Sequence, residues 1–149
     1  MKLKQISVPI QNSHHRLVEI TRALGNEGIA LRALNLVDTD NLGIFRFLVS
    51  DYTAATRILM QHRIEASVED VVAVEIENRP GELSRILEYF QEDDIRIQYT
   101  YALAGAGNNG TVMVFRFSDN DSALKILMDK GARVIDMSTF DIIDGNMAA

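Results

Sequence analysis

The residues best suited to chemistry lie in one stretch, Glu77-Asn78-Arg79-Pro80-Gly81-Glu82-Leu83. Two acids, a guanidinium, a carboxamide, a proline and a glycine stand almost side by side there. Such a set can hold a small anion, and it also suits an ordinary capped strand-to-helix connection with no ligand. Before it, Val72, Val74 and Ile76 alternate with Ala73, Glu75 and Glu77, which is the period of a strand; after it, Leu83, Ile86, Leu87 and Phe90 recur at helical spacing. The stretch is therefore a strand-to-helix turn. Asn78 is predicted to cap the helix, Pro80 to occupy its first turn, where no N–H is needed, and Gly81 to let a ligand approach the backbone. Free amides at a helix start, backed by the helix dipole, suit a carboxylate.

The remaining reactive residues do not assemble into a second set. His14 and His15 are adjacent and on a helix point about 100° apart, and His62 lies on another element, so no metal site is predicted. Asp93-Asp94 falls in a helix-to-strand turn, where acids serve local hydrogen bonding, and no nucleophile–base pair accompanies it. No catalytic residue, enzyme activity or cofactor is predicted. Gly105-Ala106-Gly107-Asn108-Asn109-Gly110 is rich in glycine but lies between two strands, without the helix that grips phosphate, and reads as a hairpin turn.

Composition narrows the class further. The 149 residues include no cysteine and no tryptophan, 47% are apolar, and the net charge is −6. Disulfides and thiolate chemistry are excluded, and a cytoplasmic location is the expectation. The excess of acid and the lack of a basic run argue against nucleic acid, and no apolar run reaches the roughly 18 residues of a membrane helix.

The elements that must position these residues come in a repeated order. Lys4 to Ile10 reads as a strand, 13–26 as a helix, 29–37 and 44–49 as a hairpin, a helix capped by Ser50-Asp51 follows, and 64–69 is a fourth strand. With only Asp70 between, the order restarts: strand 71–77, helix 80–91, strands 95–104 and 111–117, helix 119–130, strand 133–143. One offset pairs Asn12 with Asn78, Leu17 with Leu83 and Ile20 with Ile86. A second, two residues longer, pairs Phe47 with Phe115 and Ser50-Asp51 with Ser118-Asp119. The two extra residues belong to the second hairpin turn, where insertions are tolerated. The fold class expected is α+β: two tandem ferredoxin-like βαββαβ units, 1–69 and 70–149, each an antiparallel sheet with its helices on one face. At about 70 residues each is marginal alone. The residues after Asp144 read as a tail.

Val74-Glu75-Ile76-Glu77-Asn78-Arg79-Pro80-Gly81-Glu82-Leu83 resembles the strand-to-loop signature of the ACT domain family, ending in Asn-x-Pro-Gly-x-Leu, and Ile95-Arg96-Ile97-Gln98-Tyr99 resembles the strand that faces the effector. The chain also resembles the stand-alone tandem ACT proteins of bacteria. The resemblance implies a regulatory protein that senses an amino acid at an interface between ACT units, acting as a homo-oligomer, a dimer, on an enzyme or regulator of amino-acid metabolism in trans. It implies that Asn78 meets a polar end of the ligand, that Arg79, Pro80, Gly81, Glu82 and Leu83 form the loop that supplies backbone donors, and that Arg96 or Gln98 closes the pocket. In the first repeat the matching loop is Gln11-Asn12-Ser13-His14-His15-Arg16-Leu17, which keeps Asn12, followed by Ser13, but lacks the proline and glycine. That loss supports an alternative, a protein–protein assembly module whose effector site is vacant. Neither the amino acid nor the regulated partner can be read from these residues.

Overall fold

A computed structural model of the chain describes residues 2–11, 13–40, 42–103 and 110–140, with backbone alone at 13 and 14. The elements are β1 (Leu3–Ile10), α1 (Ser13–Asn26), β2 (Ala33–Thr39), β3 (Leu42–Leu48), α2 (Tyr52–Gln61), β4 (Ser67–Glu77), α3 (Glu82–Glu88), β5 (Ile97–Leu103), β6 (Gly110–Phe117), α4 (Asn120–Asp129) and β7 (Arg133–Ile135). Two compact units result, Lys4–Glu69 and Met1–Leu3 with Asp70–Ala149. The first residues group with the second unit through Lys2, whose Nζ donates to Asp121 at 2.8 Å and lies 3.8 Å from Asp70. Asp121 beside it raises the Lys2 pKa above its ordinary value.

In the first unit the strands run in the order β2-β3-β1, antiparallel. Ile6, Val8 and Ile10 of β1 and Phe45 and Phe47 of β3 face Ile20, Ala23 and Leu24 of α1 and Ala55, Ile58 and Leu59 of α2 in one core. Both helices therefore cover one face of the sheet, as their apolar stripes require. The second unit has the order β5-β6-β4-β7, also antiparallel. Its core joins Val72, Val74 and Ile76 to Phe115 and Phe117, with Ile86, Phe90, Ala123 and Leu127 from the helix side. These are mixed α+β units of ferredoxin-like type.

The repeat extends to strand register. Phe47 lies opposite Ile6 and Leu34, and Phe115 opposite Val72 and Thr100, which are the same three positions in each unit. Val37 pairs with Ile44 and Leu103 with Val112, so the two-residue excess falls between Leu103 and Val112. The helix caps also match. Asp51 accepts the Ala54 amide at 3.0 Å, and Asp119 accepts the Ser122 amide at 3.1 Å.

Four expectations need correction. The strands predicted on either side of Asp70 are one strand, β4, because nothing from Ser67 to Glu77 breaks it and the Asp70 carbonyl accepts a hydrogen bond from Asn120 Nδ2 at 2.9 Å. The strand predicted over 133–143 stops at Ile135, where the Asp136 carboxylate accepts the Thr139 amide at 2.8 Å and starts a helical turn over 137–140. The helix predicted over 80–91 is confined to Glu82–Glu88, so Pro80 precedes it, and its cap is Gly81 instead of Asn78. Finally, Leu83 and Leu87 do not join Ile86 and Phe90 in the core: they are 42% and 39% exposed. The predicted turn over 105–110, apart from Gly110, the end of the last predicted strand and the tail after Asp144 lie outside the described residues, as does Asn12.

Candidate functional site

The loop that follows β4 turns sharply because Gly81 has φ 87° and ψ −10°, in the left-handed region where a side chain is strained. Apart from its two chain neighbours, no atom of the described residues lies within 4 Å of where its Cβ would be, so this corner is open. The turn closes through the Arg79 amide, which donates to the Glu77 carbonyl at 2.9 Å, and the Glu82 amide, which donates to the Arg79 carbonyl at 3.3 Å. Two of the amides expected to meet a ligand are thus used within the turn, and Pro80 has none. Charge here is carried by side chains.

Those side chains enclose a cleft of about 540 Å³. The end of β4 contributes Glu75 and Glu77, the loop Arg79, α3 Glu82 and Arg85, the C-cap of α3 Tyr89, and the start of β7 Arg133. Arg79 pairs with Glu77 and lies 3.5 Å from Glu82; Arg85 Nη2 donates to Glu82 at 3.0 Å, and its other terminal nitrogen donates to the Tyr89 hydroxyl at 3.2 Å. The hydrogen bond to Glu82 holds the Arg85 guanidinium above its ordinary pKa. Opposite these, Arg133 and Glu75 are cross-strand neighbours joined at 3.0 Å. Three carboxylates and three guanidiniums therefore face one volume, with Glu75 and Glu82 only 14% and 15% exposed.

Of the residues expected from sequence, Arg79 and Glu82 line this cleft. Asn78, Pro80 and Gly81 are in the exposed loop beside it, and Leu83 is exposed in the first turn of α3. Arg96 and Gln98 are exposed at and on β5 and are not part of the lining, and Ser13 begins α1 in the first unit. Sequence reading missed Glu75, Arg85, Tyr89 and Arg133 and named Glu77 only as the start of the reactive stretch. Arg85 could have been found, since it stands one helical turn from Glu82. Arg133 could not, because only strand pairing brings it to Glu75. His15 and His62, expected on separate elements, border one groove beside α1. Among the described residues, no group of three or more His, Asp or Glu side chains converges to hold a metal, and no helix is long and apolar enough to cross a membrane.

Two ferredoxin-like units with a charged cleft beside a strand-to-helix loop define a regulatory small-molecule-binding module. The chain belongs to the ACT domain pair family, whose model matches residues 1–142. It is similar in structure to protein BT0572 of Bacteroides thetaiotaomicron, with 32% identity, a TM-score of 0.86, and coverage of 93% of this chain and 95% of that one. It shares its fold with the regulatory subunits of aspartate kinase from Thermus thermophilus, in ligand-free form, and Thermus flavus. These are each 16% identical over 85% of this chain and 91% and 90% of theirs, with TM-scores of 0.57 and 0.58. No curated protein matches the chain. Nothing in these relationships indicates a catalytic family.

Proposed function

We propose that the protein is an amino-acid sensor, that each compact unit is one ACT repeat, and that the second repeat carries the effector site. The observation behind this reading is the cleft beside Gly81, where ionised groups of both signs face one small volume. A zwitterion matches that arrangement. Its carboxylate would meet Arg79 or Arg85 and its ammonium Glu77 or Glu75, each exchanging an internal ion pair for one with the ligand. Asn78, Gly81 and, in the first turn of α3, Leu83 are exposed and would form the rim. Arg96 and Gln98, exposed at and on β5, would reach the ligand from a second copy of the chain, so that effector and dimer stabilise one another. The signal would then pass in trans to an enzyme or regulator of amino-acid metabolism.

The test is the thermal midpoint of the protein with each standard amino acid in turn. A ligand at about a hundred times its Kd adds roughly 2.7 kcal/mol, a rise of about 5–10 °C for a chain of this size. The rise should be confined to one amino acid or a few related ones and should be lost in Arg79→Met. Millimolar amino acids that leave the midpoint unchanged would favour the assembly module instead.

A further inference from the structure

A second cleft occupies the matching place in the first unit, and its charges are inverted. Its volume, about 560 Å³, is close to the 540 Å³ of the other. Arg16 stands where the second repeat has Glu82, Glu19 where it has Arg85, and Glu65 where it has Arg133. The helical pair survives in reverse, with Arg16 Nη1 3.0 Å from Glu19 Oε2. The cross-strand pair does not. Pro9 takes the place of Glu75, so Glu65 has no cationic partner among the described residues, whereas Arg133 has its carboxylate at 3.0 Å.

We propose that this first cleft is a second binding site and that it takes an alkylammonium group. In the second repeat, protein supplies both halves of the pair across the mouth of the cleft. Here it supplies only the anionic half, Glu65, and the ligand's cation completes it. Pro9 and Leu42, which line the same cleft, offer apolar surface to a short carbon chain. His15 replaces Gly81, so the open left-handed corner of the second repeat has no equivalent. The two repeats therefore differ in the charge they leave for a ligand to complete.

Three probes that share a four-carbon chain and differ only in bearing an amine, both charges or a carboxylate separate the sources of such a cation: butylamine, norvaline and pentanoate, titrated at neutral pH into the full chain while amide NMR shifts are followed. Butylamine or norvaline should move the amides of Gln11, Arg16 and Glu65 saturably, and Glu65→Gln should weaken the response by roughly fivefold. Tighter butylamine assigns a free amine, and tighter norvaline an amino acid whose carboxylate meets Arg16. The double variant Pro9→Glu with Glu65→Arg rebuilds the internal pair and should abolish the response. Equal shifts with pentanoate, an undiminished response in Glu65→Gln or in the double variant, or no shift at these amides would overturn the proposal.

Discussion

Two glycines of the second repeat serve unlike purposes, and substitution separates them. Gly81 needs its left-handed backbone but has open space around it, so Gly81→Ala should cost about 1–2 kcal/mol through strain alone. Gly110 is crowded instead. A Cβ there would lie 2.8 Å from the Ile76 carbonyl oxygen and 3.2 Å from Glu75 Cγ, so Gly110→Ala should destabilise by about 1–3 kcal/mol and displace Glu75 within the cleft. Urea unfolding of the two variants measures both losses. Equal stability of Gly110→Ala and the native chain would mean that β6 can move away from β4. The acids and arginines of the cleft carry less stability than their number suggests, since exposed ion pairs contribute about 0.2–1 kcal/mol each.

At the scale of elements, caps decide where helices begin and strands end. The Ser122 hydroxyl donates to Asp119 at 2.6 Å and its amide donates as well, and together they hold that carboxyl below its ordinary pKa of 3.8. Asp136 is lowered in the same direction, first by the Thr139 amide. A carboxylate depressed in the folded state stabilises it above the ordinary value, and that contribution disappears as pH falls through the lower folded one. Asp119→Asn should therefore lower stability at neutral pH, converge with the native chain in acid and so flatten the dependence of stability on pH below about 4, as acid titration followed by circular dichroism would show. An identical acid profile in the variant would remove Asp119 from the account.

The same elements show what was legible beforehand. Alternation and helical spacing placed β1, α1, α2 and α4 nearly residue for residue, because each pairs an apolar stripe with its core. Glycine at position 81 hid the true start of α3, because asparagine is the better cap by propensity and only the left-handed φ reveals Gly81 in that role. The exposure of Leu83 and Leu87 was equally hidden, since spacing cannot tell a buried helical stripe from one that extends past the core. The Arg79–Glu82 side of the cleft followed from the turn motif. The Arg133–Glu75 side depends on β7 pairing with β4, a relation with no local signature.

For the whole molecule, the duplicated register makes the two repeats comparable in a quantitative way. Phe47 and Phe115 are fully buried at the same ladder position, so Phe47→Ala and Phe115→Ala should each cost about 3–5 kcal/mol and agree within the spread of such measurements. Denaturant midpoints compare them, and a strongly unequal pair would mean that one core relaxes around the cavity. The chain also lacks a linker at which to divide it, because the boundary at Glu69–Asp70 falls inside the unbroken strand β4.

The reversed pairs Arg16–Glu19 and Glu82–Arg85 bear on how a duplicated sequence comes to hold one charge pair in both polarities. Turning one arrangement into the other needs two substitutions, and the intermediate holds like charges one helical turn apart. Such a pair costs only about 0.2–0.5 kcal/mol on an exposed helix, far below a domain's margin of stability. Neither polarity is therefore trapped. Each copy can drift across a shallow barrier to the opposite polarity while its core, with Phe47 or Phe115 at the same register position, is left untouched.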